Sequence, residues 1–129
     1  MTGKIDISQL NTPPEKHEHE TAKYFADRGK NVTFIRPSSI PGVHRPDIEM
    51  DGIEWEIKCP LGSGKNTIEH NIRKAVQQLH NIIMDLRRIK LSEKQCLAQI
   101  KAFSESKPGI KRIIVIKKNL ETVEFPELN

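Results

Sequence analysis

The chain has 129 residues, 36% hydrophobic and 29% charged, which suits one globular domain and excludes a fibrous or disordered polypeptide. No apolar run approaches the roughly 20 residues of a bilayer-spanning helix, and the opening MTGKIDISQLNTPPEKHEHE lacks a charged-then-apolar signal, so a cytoplasmic protein, or a fragment delivered by something else, is expected, without a membrane partner. Net charge is +4, yet residues 1–57 carry 7 Lys/Arg against 10 Asp/Glu while residues 58–118 carry 14 against 4, so an acidic half precedes a basic one. Clustered cations attract a polyanion by releasing its counterions. Clustered carboxylates repel the same polyanion unless a cation lies between them.

Residues 1–14, with Pro13-Pro14, read as a loosely ordered lead-in, and residues 15–129 as a single domain. A helix is predicted over 15–29, with Ala22, Tyr24, Phe25 and Ala26 as its apolar stripe and Gly29 as its stop. VTFIR at 32–36 reads as a strand, and PSSIPGVHRP as a loop. In PDIEMDGIEWEIK, Asp51-Gly52 between two alternating runs predicts a two-residue hairpin turn. That turn pairs Met50 with Ile53, Glu49 with Glu54, Ile48 with Trp55 and Asp47 with Glu56. Alternation then gives one apolar face (Ile48, Met50, Ile53, Trp55, Ile57) and one charged face (Asp47, Glu49, Glu54, Glu56, Lys58).

PLGSGKN at 60–66 reads as a loop. Its Lys65 is a candidate phosphate contact, although GSGKNT does not meet the GxxxxGK[ST] phosphate-loop pattern. A long helix is predicted over about 67–89, from Ile68, Ile72, Ala75, Val76, Leu79, Ile82, Ile83 and Leu86 at helical spacing. A second follows at about 93–104, capped by Ser92 and Gln95. Lys107-Pro108-Gly109 reads as a turn, IKRIIVIKK as a buried strand and TVEF as a short final strand. This order implies a three-layer α/β sandwich around a mixed sheet. Cys59 and Cys96 fit no CxxC or zinc spacing and read as reduced thiols, and the five histidines form no metal-binding spacing.

The hairpin carries the chemistry. Directly opposed residues on antiparallel strands have Cβ atoms about 4.5–5.5 Å apart. Asp47 facing Glu56 is therefore repulsive until a divalent cation lies between them, with Mg²⁺ the best match to carboxylate oxygens and Mn²⁺ or Zn²⁺ the alternatives. Lys58 shares that face two residues beyond Glu56, where an ammonium serves a metal-bound nucleophile or the charge developing on a phosphate. Spacing alone does not choose between the pairs Asp47/Glu56 and Glu49/Glu54, and a solvated charged face is the alternative to a site. Arg73, Lys74, Arg87, Arg88 and Lys90, on the exposed side of the long helix, are candidate phosphate contacts or a solvated face.

Pro46-Asp47 followed by Glu56-Ile57-Lys58 resembles the motif of the PD-(D/E)XK nuclease superfamily. That resemblance implies metal binding by Asp47 and Glu56. It also implies a further ligand from the first helix, best matched by Glu18 and next by Glu20, and a glutamine on the helix after the lysine strand, Gln78 with Gln77 behind it. A plain boundary-polar role is the alternative for Gln78. More broadly, HEHETAKYFADRGKNV and PDIEMDGIEWEIKCPLGSGKNTIEHNIRKAVQQLHNIIMDLRR are similar to the tRNase toxins at the C-terminus of contact-dependent growth inhibition (CdiA) proteins. This likeness implies metal-dependent cleavage of tRNA in the cytoplasm of a target cell, and a cognate immunity protein. The alternatives are a DNA endonuclease of the same fold, a non-catalytic nucleic-acid-binding domain and a protein-interaction module.

Overall fold

The structure, a computed structural model, describes residues 2–78, 81–106 and 112–126, without the side chains at 74–78 and 106. The chain forms two compact units, Met1–Ile57 and Lys58–Asn129, where the sequence reading has one domain from residue 15. Among the described residues there are three helices and seven strands in mixed parallel and antiparallel pairing, which is the expected mixed α/β class. No helix among them is long and apolar enough to cross a membrane.

The first unit contains β1 (Ile5–Asp6), α1 (Lys16–Ala26), β2 (Val32–Phe34), β3 (Ile48–Met50) and β4 (Ile53–Lys58), whose last residue lies at the boundary. The loosely ordered lead-in expected at 1–14 is instead tied down. β1 pairs parallel with β2, Gly3 N–H donates to Ala26 O at 2.6 Å, and Lys4 N–H donates to Asn31 Oδ1 at 2.9 Å. Gly3 lies so close to the next turn that a Cβ there would sit 1.9 Å from Lys30 O. A two-residue strand leaves no periodicity to read, which is why the sequence conceals it. α1 buries Ala22, Tyr24, Phe25 and Ala26 as predicted, and Gly29 follows it at φ 90°. Arg28 lies over the Tyr24 ring at 3.5 Å, and Tyr24 meets Phe25 edge to face.

The hairpin register is the predicted one, with Ile48 opposite Trp55, Glu49 opposite Glu54 and Met50 opposite Ile53. Asp51 and Gly52 both have positive φ (55° and 76°), as the type I′ turn requires. Lys30 Nζ holds the turn from outside, 2.6 Å from Asp51 Oδ2.

The second unit contains α2 (Thr67–Gln78), β5 (Asn81–Asp85), α3 (Glu93–Ser106), β6 (Arg112–Ile116) and β7 (Thr122–Phe125). The single long helix predicted over 67–89 is therefore corrected to a helix followed by a strand. β5 pairs parallel with β6 over five residues, and Ile82, Ile83 and Met84 are fully buried. A continuous apolar run satisfies a two-sided buried strand as well as it satisfies a helical stripe, and here the parallel ladder wins. α3 and β7 fall where the sequence places them. Ser92 Oγ accepts from Gln95 N–H at 3.3 Å, and its hydroxyl donates to Gln95 Oε1 at 2.9 Å. The turn expected at Lys107-Pro108-Gly109 lies outside the described residues. Ile68, Ile72, Ile82, Met84, Cys96, Ile100 and Ile113 belong to the core of this unit.

Burial pushes the Cys96 thiol up, and the nearby Lys118 ammonium opposes this only in part. Cys59 is half-buried. A thiol-alkylating reagent at neutral pH is expected to label Cys59 in the native protein and Cys96 only after denaturation, as read by mass spectrometry. Equal labelling rates in the native state contradict this.

Candidate active site

Beyond Ile48 the hairpin departs from simple alternation. Asp47 occupies a bend just before β3 rather than the next rung of the ladder. Its N–H donates to Trp55 O at 3.0 Å, its own carbonyl accepts from Ile35 N–H at 3.0 Å, and its carboxylate Oδ2 accepts from Ile57 N–H at 2.8 Å. The direct Asp47–Glu56 rung expected from the sequence is replaced by a side chain capping the backbone of β4. The backbone of Asp47 is thereby held to β4 and to the residue that follows β2, and its carboxylate to β4.

The structure separates the two acidic pairs that spacing left equivalent. Glu49 and Glu54 are exposed, whereas Glu56 is only 3% exposed, between buried Trp55 and Ile57. A buried carboxylate requires a partner, because desolvation of an unpaired charge is costly. Glu56 Oε2 lies 2.5 Å from His44 Nε2, and the His44 side chain is 38% exposed. His44 belongs to the loop preceding Asp47, so one short segment supplies both Asp47 and the partner of Glu56. Lys58 ends β4, half-buried, two residues along the strand from Glu56.

Within the first unit a cavity of about 810 Å³ is lined by Glu18, His44, Arg45 and Asp47, with residues of the 10–15 and 34–39 segments. Glu18 is half-buried and Glu20 exposed, so the cavity includes the first of the two helix acids considered. Glu18, Asp47 and Glu56 do not form a compact three-ligand cluster. Among the described residues such a cluster is formed by Glu15, His17 and Glu18, whose ligand atoms lie within 4.8 Å of one another, although the sequence spacing of the histidines showed none. His17 Nε2 is 3.3 Å from Glu15 Oε2. Carboxylate oxygens at Glu18, Asp47 and Glu56 are the donors a hard divalent cation takes, with water completing its shell.

The expected phosphate contacts are not gathered on one helix. Arg87 and Arg88 follow β5 instead, because the helix ends earlier. Arg87 is tied to Asp85, with Nη2 to Oδ2 at 2.7 Å and Nε to Oδ1 at 3.0 Å. Arg73 is paired with Glu69 at 2.6 Å, one helical turn away. Arg88 and Lys65 are exposed, and Lys65 gives its carbonyl to Gln99 Nε2 at 2.7 Å. The side chains of Lys74, Gln77 and Gln78 lie outside the described residues.

Comparison with known proteins bears on residues 44–122, which match the family described as the contact-dependent growth inhibition CdiA C-terminal domain. The fold is similar to that of a solved CdiA-CT/CdiI toxin and immunity complex from Burkholderia pseudomallei, with a TM-score of 0.70 and 22% identity. That similarity covers 95% of this chain and 98% of the solved one. No curated protein sequence matches the chain.

Proposed function

The chain belongs to the contact-dependent growth inhibition CdiA C-terminal domain family, and from that premise we propose that this toxin domain is a metal-dependent endonuclease of the PD-(D/E)XK type, with tRNA as its substrate. One observation supports this above the others. Of the four acids in the hairpin and its flank that share the predicted charged face, the two matching the motif, Asp47 and Glu56, are the ones built into the structure. The other two, Glu49 and Glu54, are exposed to solvent.

In this reading Asp47, Glu56 and Glu18 hold a divalent cation, Mg²⁺ by the hardness of the donors, with Mn²⁺ and Zn²⁺ as alternatives. When bound, such an ion lowers the pKa of a water and polarises the phosphoryl oxygen. The Ile57 N–H restrains the Asp47 carboxylate, so less side-chain entropy is lost when it engages a ligand. Lys58 places an ammonium two residues beyond Glu56 on the same strand, suited to orient the attacking oxygen or balance charge on the phosphate. A cognate immunity protein that blocks the cavity, and action in the cytoplasm of a target cell after delivery, complete the reading. Similarity to a toxin and immunity complex supports the former.

Incubation of the purified chain with total tRNA and with plasmid, in Mg²⁺, Mn²⁺ or Zn²⁺ supplied in turn, tests it. Cleaved tRNA is expected. Cut plasmid beside intact tRNA transfers the assignment to DNA, and failure to cut either in any metal overturns the nuclease reading.

A further inference from the structure

The cavity lining mixes acidic and basic residues. Glu15, Glu18 and Asp47 supply carboxylates, and Arg36 and Arg45 supply guanidinium groups. Arg36 is already committed, since its Nε donates to Gln9 O at 2.8 Å and its backbone N–H donates to Gln9 Oε1 at 3.2 Å. Arg45 is exposed, and no ion pair or hydrogen bond among the described residues engages its guanidinium. It lies two residues before Asp47, with the stiff Pro46 between them, so its backbone position is coupled to that of the anchored carboxylate. Without a cation, three lining carboxylates outweigh two guanidiniums, and the cavity repels a phosphodiester. A single bound dication reverses that balance.

We propose that Arg45 is the phosphate anchor of this cavity. It holds a phosphate of an unpaired nucleotide seated there, and the seating requires the divalent cation to be bound first. The inference rests on the metal-site reading of Asp47 and Glu18. A concave site of about 810 Å³ lies in the range of pockets that enclose one small ligand. It therefore matches a splayed-out nucleotide of single-stranded nucleic acid rather than the continuous rod of a duplex. An Arg fork takes two phosphate oxygens at once, which fixes orientation as well as charge.

The test measures binding of a fluorescein-labelled, unpaired oligoribonucleotide to the full chain by anisotropy, in Ca²⁺ and in EDTA, across a salt series. In Ca²⁺, Arg45→Met is expected to weaken binding about tenfold and to reduce the slope of log K against log salt by about 0.7–1. Arg45→Lys is expected to recover the salt slope and part of the affinity. In EDTA, wild type and Arg45→Met are expected to bind equally weakly. Unchanged affinity and slope for Arg45→Met in Ca²⁺ overturn the anchor, and undiminished wild-type binding in EDTA overturns the order of binding. A parallel tRNA and plasmid assay on Asp47→Asn separates the two levels. If Asp47→Asn is inactive and Arg45→Met binds as wild type, the anchor fails alone. If Asp47→Asn keeps full activity, the metal-site reading fails whatever Arg45 does.

Discussion

Asp47→Asn is expected to reduce turnover roughly 10²–10³-fold, the scale of removing a single well-placed electrostatic group from an active site, while the protein keeps its thermal midpoint. The amide retains a carbonyl oxygen that accepts from Ile57 N–H, now at 2.8 Å from the carboxylate, so the bend before β3 persists. What is lost is the negative charge. Asp47→Ala differs, because it leaves Ile57 N–H without its acceptor and adds a stability cost of about 1–3 kcal/mol to the same catalytic loss. In EDTA, where no cation offsets the acids, substrate affinity should hold or improve in both variants, since removing an acid favours a polyanion. Glu49→Gln and Glu54→Gln provide the contrast: both residues are solvent-exposed, and turnover should stay near wild type. Comparable losses at all three positions would mean that the hairpin acts through its overall charge, not through a site. A non-catalytic binding domain predicts no activity to lose and tighter binding in every case.

The hairpin shows what the residues alone disclose. Asp51-Gly52 specifies its turn chemically, because both positions need positive φ, and that turn sets the pairing of Ile48 with Trp55. Alternation then places Glu49, Glu54 and Glu56 on one face, and no local rule separates them. Their difference in burial arises from packing of residues distant in sequence. The His44 contact to Glu56 depends on the path of the Pro- and Gly-containing 37–46 loop, which no periodicity encodes. Gly29, Ser92 and the TVEF strand each carry their own local signal and were legible. β5 was not, because Ile82, Ile83 and Leu86 continue the spacing of α2 across a boundary that only the ladder to β6 reveals. The cluster of Glu15, His17 and Glu18 was hidden for a related reason. Glu15 lies in the extended N-cap before α1, so helical spacing does not apply to it.

Arg87→Ala is expected to act on stability and not on nucleic-acid binding, contrary to the role its position in a basic stretch implies. Asp85 is 3% exposed at the end of β5, and the Arg87 guanidinium meets both of its oxygens. Deleting one partner of a buried pair leaves the other charge desolvated, a loss of about 3–5 kcal/mol when nothing compensates. Two features reduce it here. The Arg87 side chain is 26% exposed, so water reaches the vacated position. The backbone N–H of Arg87 also still donates to Asp85 Oδ1 at 3.1 Å after the substitution. The expected cost is therefore about 2–3 kcal/mol, a fall in Tm of roughly 8–15 °C for a chain of this size. Asp85→Leu combined with Arg87→Met should recover most of it, because an apolar pair of similar volume carries no desolvation cost. Chemical denaturation of the wild type and the two variants measures this directly. If Arg87→Ala keeps its Tm but binds oligoribonucleotide more weakly with a shallower salt slope, Arg87 is a phosphate contact and its pairing with Asp85 is incidental.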